Sequence, residues 1–115
     1  VVGVAPEMMG IGPVPASLKA LERAGLRLDD VDVIELNEAF SSQALAVLQE
    51  LSLDADDSRL NIDGGALAIG HPLGASGARI IGKAASLLRR TDGEFALASM
   101  CIGGGMGIAT ILRRH

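Results

Sequence analysis

Tryptophan and tyrosine are absent from this 115-residue chain, and phenylalanine occurs only twice. The core must therefore be built from aliphatic and small side chains, which favours close approach of backbones. A single cysteine excludes an internal disulfide, and the reading that follows is an intracellular, cytoplasmic protein. Apolar stretches are interrupted every few residues by glycine, proline or charge, so no segment is expected to span a bilayer and no membrane partner is expected. A net charge of −4 and the lack of any basic run with interleaved aromatics argue against nucleic acid as the partner. The opening Val1-Val2-Gly3-Val4 carries neither a charged leader nor a cleavage pattern, and the expectation is a piece of a longer polypeptide.

What is plentiful is glycine, fifteen residues, within a composition that is 49% apolar. The length fits one domain. Val1 to Ala5 reads as a strand cut off by Pro6, and Met9 to Pro15, with two prolines and two glycines, as irregular. Ser17 is expected to cap a helix running to Ala24 and ended by Gly25. Val31 to Leu36 is rich in β-formers. From Glu38 to Leu51 apolar residues recur at helical spacing, with Asn37 at the start. The stretch from Asn61 to Gly70 resists assignment by period. Ala75 to Leu88 is apolar on nearly all sides, as in a central helix buried between layers, with Arg89 and Arg90 at its end. Phe95 to Cys101 and Ile108 to Leu112 read as strands joined by a tight glycine-rich return. The expected class is α/β, a layered sandwich with a mixed sheet.

Three polar residues fall at element ends beside glycine, where a rigid scaffold displays reactive groups: Asn37, His71 and Cys101. Pro72 pushes His71 out of helical conformation, just ahead of the following helix, so its imidazole is either a turn residue bonded to backbone or a base facing a cleft. Cys101 is either a small buried hydrophobe or an acid/base beside Gly103-Gly104-Gly105, whose backbone N–H groups suit an oxyanion. Asn37, on local evidence, is a helix cap; Glu38 favours the helix dipole and Asp63 occupies a turn, both structural. One cysteine and one well-placed histidine cannot close a tetrahedral zinc site, so no metal is expected. The glycines at 70, 74 and 77 lack the lysine and hydroxyl of a P-loop and the spacing of a dinucleotide fingerprint.

Four stretches, taken in order, carry a resemblance: Met9-Gly10-Ile11-Gly12-Pro13-Val14-Pro15-Ala16, Asn37-Glu38-Ala39-Phe40, Gly70-His71-Pro72-Leu73-Gly74-Ala75-Ser76-Gly77-Ala78-Arg79, and Cys101-Ile102-Gly103-Gly104-Gly105-Met106-Gly107. Together with Asn61-Ile62-Asp63-Gly64-Gly65-Ala66, they resemble the C-terminal half of a thiolase over essentially the whole chain, residues 1–115. The resemblance implies a thiolase-like layered fold with a mixed five-stranded-type sheet, a buried central helix and flanking helices. It implies an acyltransferase that cleaves 3-ketoacyl-CoA by thiolysis, or condenses acyl-CoA in the Claisen direction, with coenzyme A thioesters as substrates and no resident cofactor.

The same resemblance implies the roles. His71 activates a nucleophilic cysteine supplied by an absent N-terminal domain, and with a water held by Asn37 it stabilises the enolate oxygen. Cys101 moves the α-proton, and the Gly103 N–H forms part of a second oxyanion hole; His71 and Gly103 thereby also bind substrate. The parent is expected to be a homodimer or homotetramer. Without the acyl-accepting cysteine this chain alone is not expected to turn over. Two alternatives stand beside this reading: a β-ketoacyl synthase relative, disfavoured because a second histidine is expected where Cys101 stands, and a non-catalytic thiolase-like module for assembly or lipid-carrier fusion.

Overall fold

The computed structural model describes residues 1–115. Four strands form one mixed sheet: β1 (Val2–Gly3), β2 (Val33–Leu36), β3 (Phe95–Ile102) and β4 (Met106–Arg113), in the order β1-β4-β3-β2. β3 and β4 pair antiparallel from Phe95↔Arg113 to Ile102↔Met106, and β1 lies antiparallel against the outer edge of β4. The return between them is the three-glycine turn expected from sequence. Gly104 and Gly105 both sit at φ +76°, and a Cβ on Gly105 would lie 2.6 Å from the Val4 carbonyl oxygen. L-side chains are therefore excluded there on both conformational and steric grounds. β2 runs parallel to β3, with Val33 opposite Ala96 and Leu36 opposite Ser99.

The sheet stops at four strands, not the five expected. At the free edge of β2 the chain makes a single parallel bridge, Ile34 to Leu60, in which Ile34 N donates to Arg59 O and Asn61 N donates to Ile34 O, each at 2.8 Å. Asn61 then turns away at φ +41°. Its side chain takes over where a fifth strand would continue: Oδ1 accepts from Leu36 N and Nδ2 donates to Leu36 O, each at 2.9 Å. An amide side chain thus satisfies an edge that backbone would otherwise have to pair.

The helices are α1 (Pro13–Ala24), α2 (Ser41–Glu50), the single turn α3 (Ala66–Ile69) and α4 (Leu73–Thr91). Short 3-10 helices occupy Pro6–Ile11 and Leu28–Asp30. α1 begins ahead of the expected Ser17, which is fully buried within the helix and caps nothing. Pro13 and Pro15 lie in its first turn, where backbone N–H groups have no intrahelical acceptor and proline costs nothing. Gly25 at φ +69° ends the helix, as its position implied. α2 begins at Ser41, with Phe40 as the residue before it, so Asn37 lies outside the helix altogether.

Three layers result. Alternation along β2 and β3 sends Ile34, Leu36 and Leu97 toward α1 and α2, where Leu21, Val14, Val47 and Leu48 meet them. Val33, Ala96 and Ala98 face the opposite way and pack on Ile80, Ala84, Leu87 and Leu88 of α4. Full burial of a leucine such as Leu87 stabilises the layer by about 2 kcal/mol. The alanines on the sheet let α4 sit close, which is the packing that a chain poor in aromatics requires.

α4 is not buried on nearly all sides. Only Ser76, Ile80, Ala84, Leu87 and Leu88 are buried, and the other face is open. That face, with the preceding turn, leaves Leu67, Ile69, Leu73 and Ile81 exposed, Leu73 at 83%. Four large apolar side chains exposed on neighbouring elements favour association. Concentrated solutions of the 115-residue chain are expected to scatter light as oligomers, and Ile69→Lys combined with Ile81→Glu to shift them toward monomer. A monomer at all concentrations would show that the face is benign. No helix is long and apolar enough to cross a membrane.

Candidate active site

Parallel pairing of β2 and β3 brings their C-terminal ends to one edge of the sheet, the edge at which α/β proteins usually hold ligands. Asn37 directly follows β2, its N–H donating to Ser99 O at 2.9 Å so that the ladder continues one residue past the strand. Cys101 sits near the end of β3. His71 reaches the same edge from α3. Gly70, at φ +90°, allows the reversal after α3, and Pro72 holds His71 just outside α4.

His71, Cys101 and Gly103 line one cleft of about 440 Å³, closed by Met9, Ala39, Phe40, Leu73, Met100 and Ile102. Asn37 stands behind the imidazole, fully buried, with its Nδ2 3.3 Å from His71 Nε2. Arg79 Nη2 donates to Asn37 Oδ1 at 3.2 Å. On the other side of the ring, His71 Nδ1 lies 2.6 Å from Ser76 Oγ, and that hydroxyl donates to the Pro72 carbonyl at 3.0 Å. The Cys101 side chain is buried, and burial pushes its thiol pKa up, so it is a protonated thiol at neutral pH.

All four sequence candidates therefore converge on one place. The cap reading of Asn37 is corrected: its amide is spent on His71 and Arg79, not on the first turn of α2. Ser76 and Arg79 were missed by the sequence reading. Their signal was present in the spacing, since residues 76 and 79 fall on one face of the helix that opens beside His71.

Glu38 and Asp63 do not line the cleft and are engaged elsewhere. Glu38 accepts from Asn61 Nδ2 at 3.0 Å and from Leu67 N at 2.9 Å, which ties the 61–67 turn beneath the cleft. Asp63 is gripped by Arg90 and Lys83 of α4, and these cations hold its carboxyl well below the usual carboxylate range. Below the site, Glu35 of β2 is almost fully buried and faces α4 without a hydrogen-bond partner for Oε1. Burial pushes its carboxyl up to about 7, against the opposing pull of Lys83 and Arg79.

An imidazole and a neutral thiol presented to one apolar cleft at a sheet edge define an α/β domain equipped for acid/base chemistry. The family described as "Thiolase, C-terminal domain" matches residues 1–114. The chain is 59% identical over 112 residues to the 3-oxoadipyl-CoA/3-oxo-5,6-dehydrosuberyl-CoA thiolase of Escherichia coli (strain K12), covering 97% of this chain and 28% of that protein. It is 56% identical over 113 residues to a beta-ketoadipyl-CoA thiolase of Acinetobacter baylyi, covering 98% and 28% respectively. Its fold superposes on the crystal structure of human mitochondrial 3-ketoacyl-CoA thiolase in complex with CoA with a TM-score of 0.95 at 53% identity, covering 99% of this chain and 28% of that one. The chain belongs to the thiolase family, whose C-terminal domain it forms. It spans under a third of the length of the curated relatives it matches.

Proposed function

We propose that this domain supplies the acid/base half of the catalytic site of a thiolase, a longer acyltransferase whose N-terminal domain brings the nucleophilic cysteine and most of the coenzyme A contacts. The observation that carries the reading is the single cleft shared by His71 and Cys101. In thiolysis, the nucleophilic thiol gives its proton to His71 and attacks the 3-keto carbon of 3-ketoacyl-CoA. The bond between C2 and C3 breaks, the acyl group stays on sulfur, and the electron pair passes to the departing acetyl-CoA enolate. Cys101 protonates C2 of that enolate. Free CoA then gives its thiol proton to Cys101 and takes the acyl group, and the nucleophile recovers its proton from His71. The Claisen direction runs the same steps in reverse.

His71, with a water held by Asn37, serves the enolate oxygen, and the Gly103 N–H serves the oxyanion of the acyl transfer. The neutral state of Cys101 suits the protonation step, since only the thiol form can deliver a proton to carbon. Names of the matched relatives support a place in the metabolism of 3-ketoacyl thioesters, fatty acyl chains among them. The cytoplasm and a homodimeric or homotetrameric parent complete the reading. A packing-only module leaves unexplained why a fully buried asparagine turns its amide to the histidine of the cleft.

The test is thiolysis of acetoacetyl-CoA by the complete polypeptide in the presence of CoA, monitored as acetyl-CoA formed. The parent is expected to turn over and the 115-residue chain alone to release none, for want of a nucleophile. Absence of thiolysis by a folded parent, with this and longer 3-ketoacyl thioesters, would overturn the assignment.

A further inference from the structure

Four hydrogen bonds thread the imidazole of His71, and donor chemistry gives them one direction. A guanidinium only donates, so the Asn37 atom facing Arg79 is its oxygen and the atom facing His71 Nε2 is its NH₂. Nε2 is therefore an acceptor. At the far end, the Pro72 carbonyl only accepts, so the one hydrogen of Ser76 Oγ is spent on it. Ser76 has then only lone pairs to offer His71 Nδ1 at 2.6 Å, and Nδ1 must carry the proton. Two independent ends of the network demand the same tautomer.

We propose that Ser76 is a positioning residue that fixes His71 as the Nδ1–H tautomer and so reserves Nε2 as the ring's basic atom. Ser76 has no exposed surface and sits in the first turns of α4, so the hydroxyl is held by the helix and cannot follow the ring if it rotates. A neutral hydroxyl in this place, rather than a carboxylate, orients the ring without an anion to stabilise imidazolium. Protonation at Nε2 then sets donor against donor at the Asn37 amide, so base function in His71 is coupled to displacement of that contact. The tautomer follows from hydrogen bonding alone; its catalytic consequence rests on the thiolase reading.

The chain contains two histidines, and the other, His115, is exposed at the terminus and supplies an internal reference. Long-range ¹H–¹⁵N correlation of the ¹⁵N-labelled chain at about pH 8.5, where free imidazole is neutral, reads each tautomer directly. The expected result is Nδ1–H for His71, with the exposed His115 favouring Nε2–H. Asn37→Ala, which leaves Ser76 alone to set the ring, is expected to keep His71 at Nδ1–H, and Asn37→Ala combined with Ser76→Ala to release it toward the His115 pattern, while Ser76→Thr beside Asn37→Ala holds it at Nδ1–H. An Nε2–H signal for His71 in the unsubstituted chain overturns the proposal without recourse to any variant, as does an Nε2–H signal in folded Asn37→Ala or an unchanged Nδ1–H in the folded double variant. In the complete enzyme, Ser76→Ala is expected to lower kcat about 10- to 100-fold with KM little changed, and Ser76→Thr to recover most of it. An Nδ1–H ring in a parent that performs no thiolysis would sink the acyl-transfer reading and leave this one standing.

Discussion

His71→Ala and Cys101→Ala in the complete enzyme are each expected to lower kcat for thiolysis of acetoacetyl-CoA by about 10³-fold, with KM changed far less. The two side chains act on different protons. His71 takes the proton of the nucleophile and gives it back, whereas Cys101 delivers one to the enolate carbon and draws its replacement from CoA. A cleft lined mostly by apolar side chains offers little water to stand in for either group. Because both serve one reaction sequence, the double variant is expected to fall well short of the product of the single losses. Cys101→Ser is the sharper probe, since it preserves size and hydrogen bonding but substitutes a group far less able to accept the proton of CoA. It is expected to lose nearly as much as alanine. A loss below about tenfold in Cys101→Ala would remove the thiol from the proton path. The same result for His71→Ala would leave the imidazole as a turn residue.

How much of this could be read from sequence depends on how local each constraint is. The His71-Pro72 pair was legible because proline acts on its neighbour whatever the tertiary context, and the glycines at 104 and 105 because a tight return between two strands needs positive φ. The local reading of Asn37 as a cap failed because a cap is a local rule, while its actual partners, His71 and Arg79, are 34 and 42 residues away. The prolines of α1 were read as part of an irregular stretch, although a first helical turn tolerates them. Nor does any periodicity announce that the Asn61 side chain replaces a strand at the edge of β2. α4 is instructive in another way. Its many alanines and glycines were read as an all-round apolar pattern, but the buried positions Ile80, Ala84, Leu87 and Leu88 form one stripe, with Lys83 and Arg90 beside it paired to Asp63.

Gly107→Ala is expected to destabilise the chain by about 3 kcal/mol or more, although it adds one methyl group. Gly107 lies opposite Cys101 in the β3–β4 ladder and directly beneath the N-terminus of α1. A Cβ placed on it would fall 2.0 Å from the Gly12 carbonyl oxygen and 2.2 Å from its carbon. The approach is just as close from the other side, where a Cβ on Gly12 would meet the Met106 oxygen at 2.7 Å and Gly107 N at 2.8 Å. No side chain is available to swing aside, so relief requires moving backbone. On one side that backbone is stiffened by Pro13 and Pro15; on the other it is the strand that holds Cys101 in register. The same methyl on Gly103, four residues away, meets nothing within 4 Å, and Gly103→Ala keeps the backbone N–H assigned to the oxyanion. It is expected to unfold within about 0.5 kcal/mol of the unsubstituted chain. Urea denaturation of the two variants measures the contrast. Equal midpoints would mean that α1 and β4 can part without cost, and that the edge of the sheet carrying Cys101 is not held by this glycine contact.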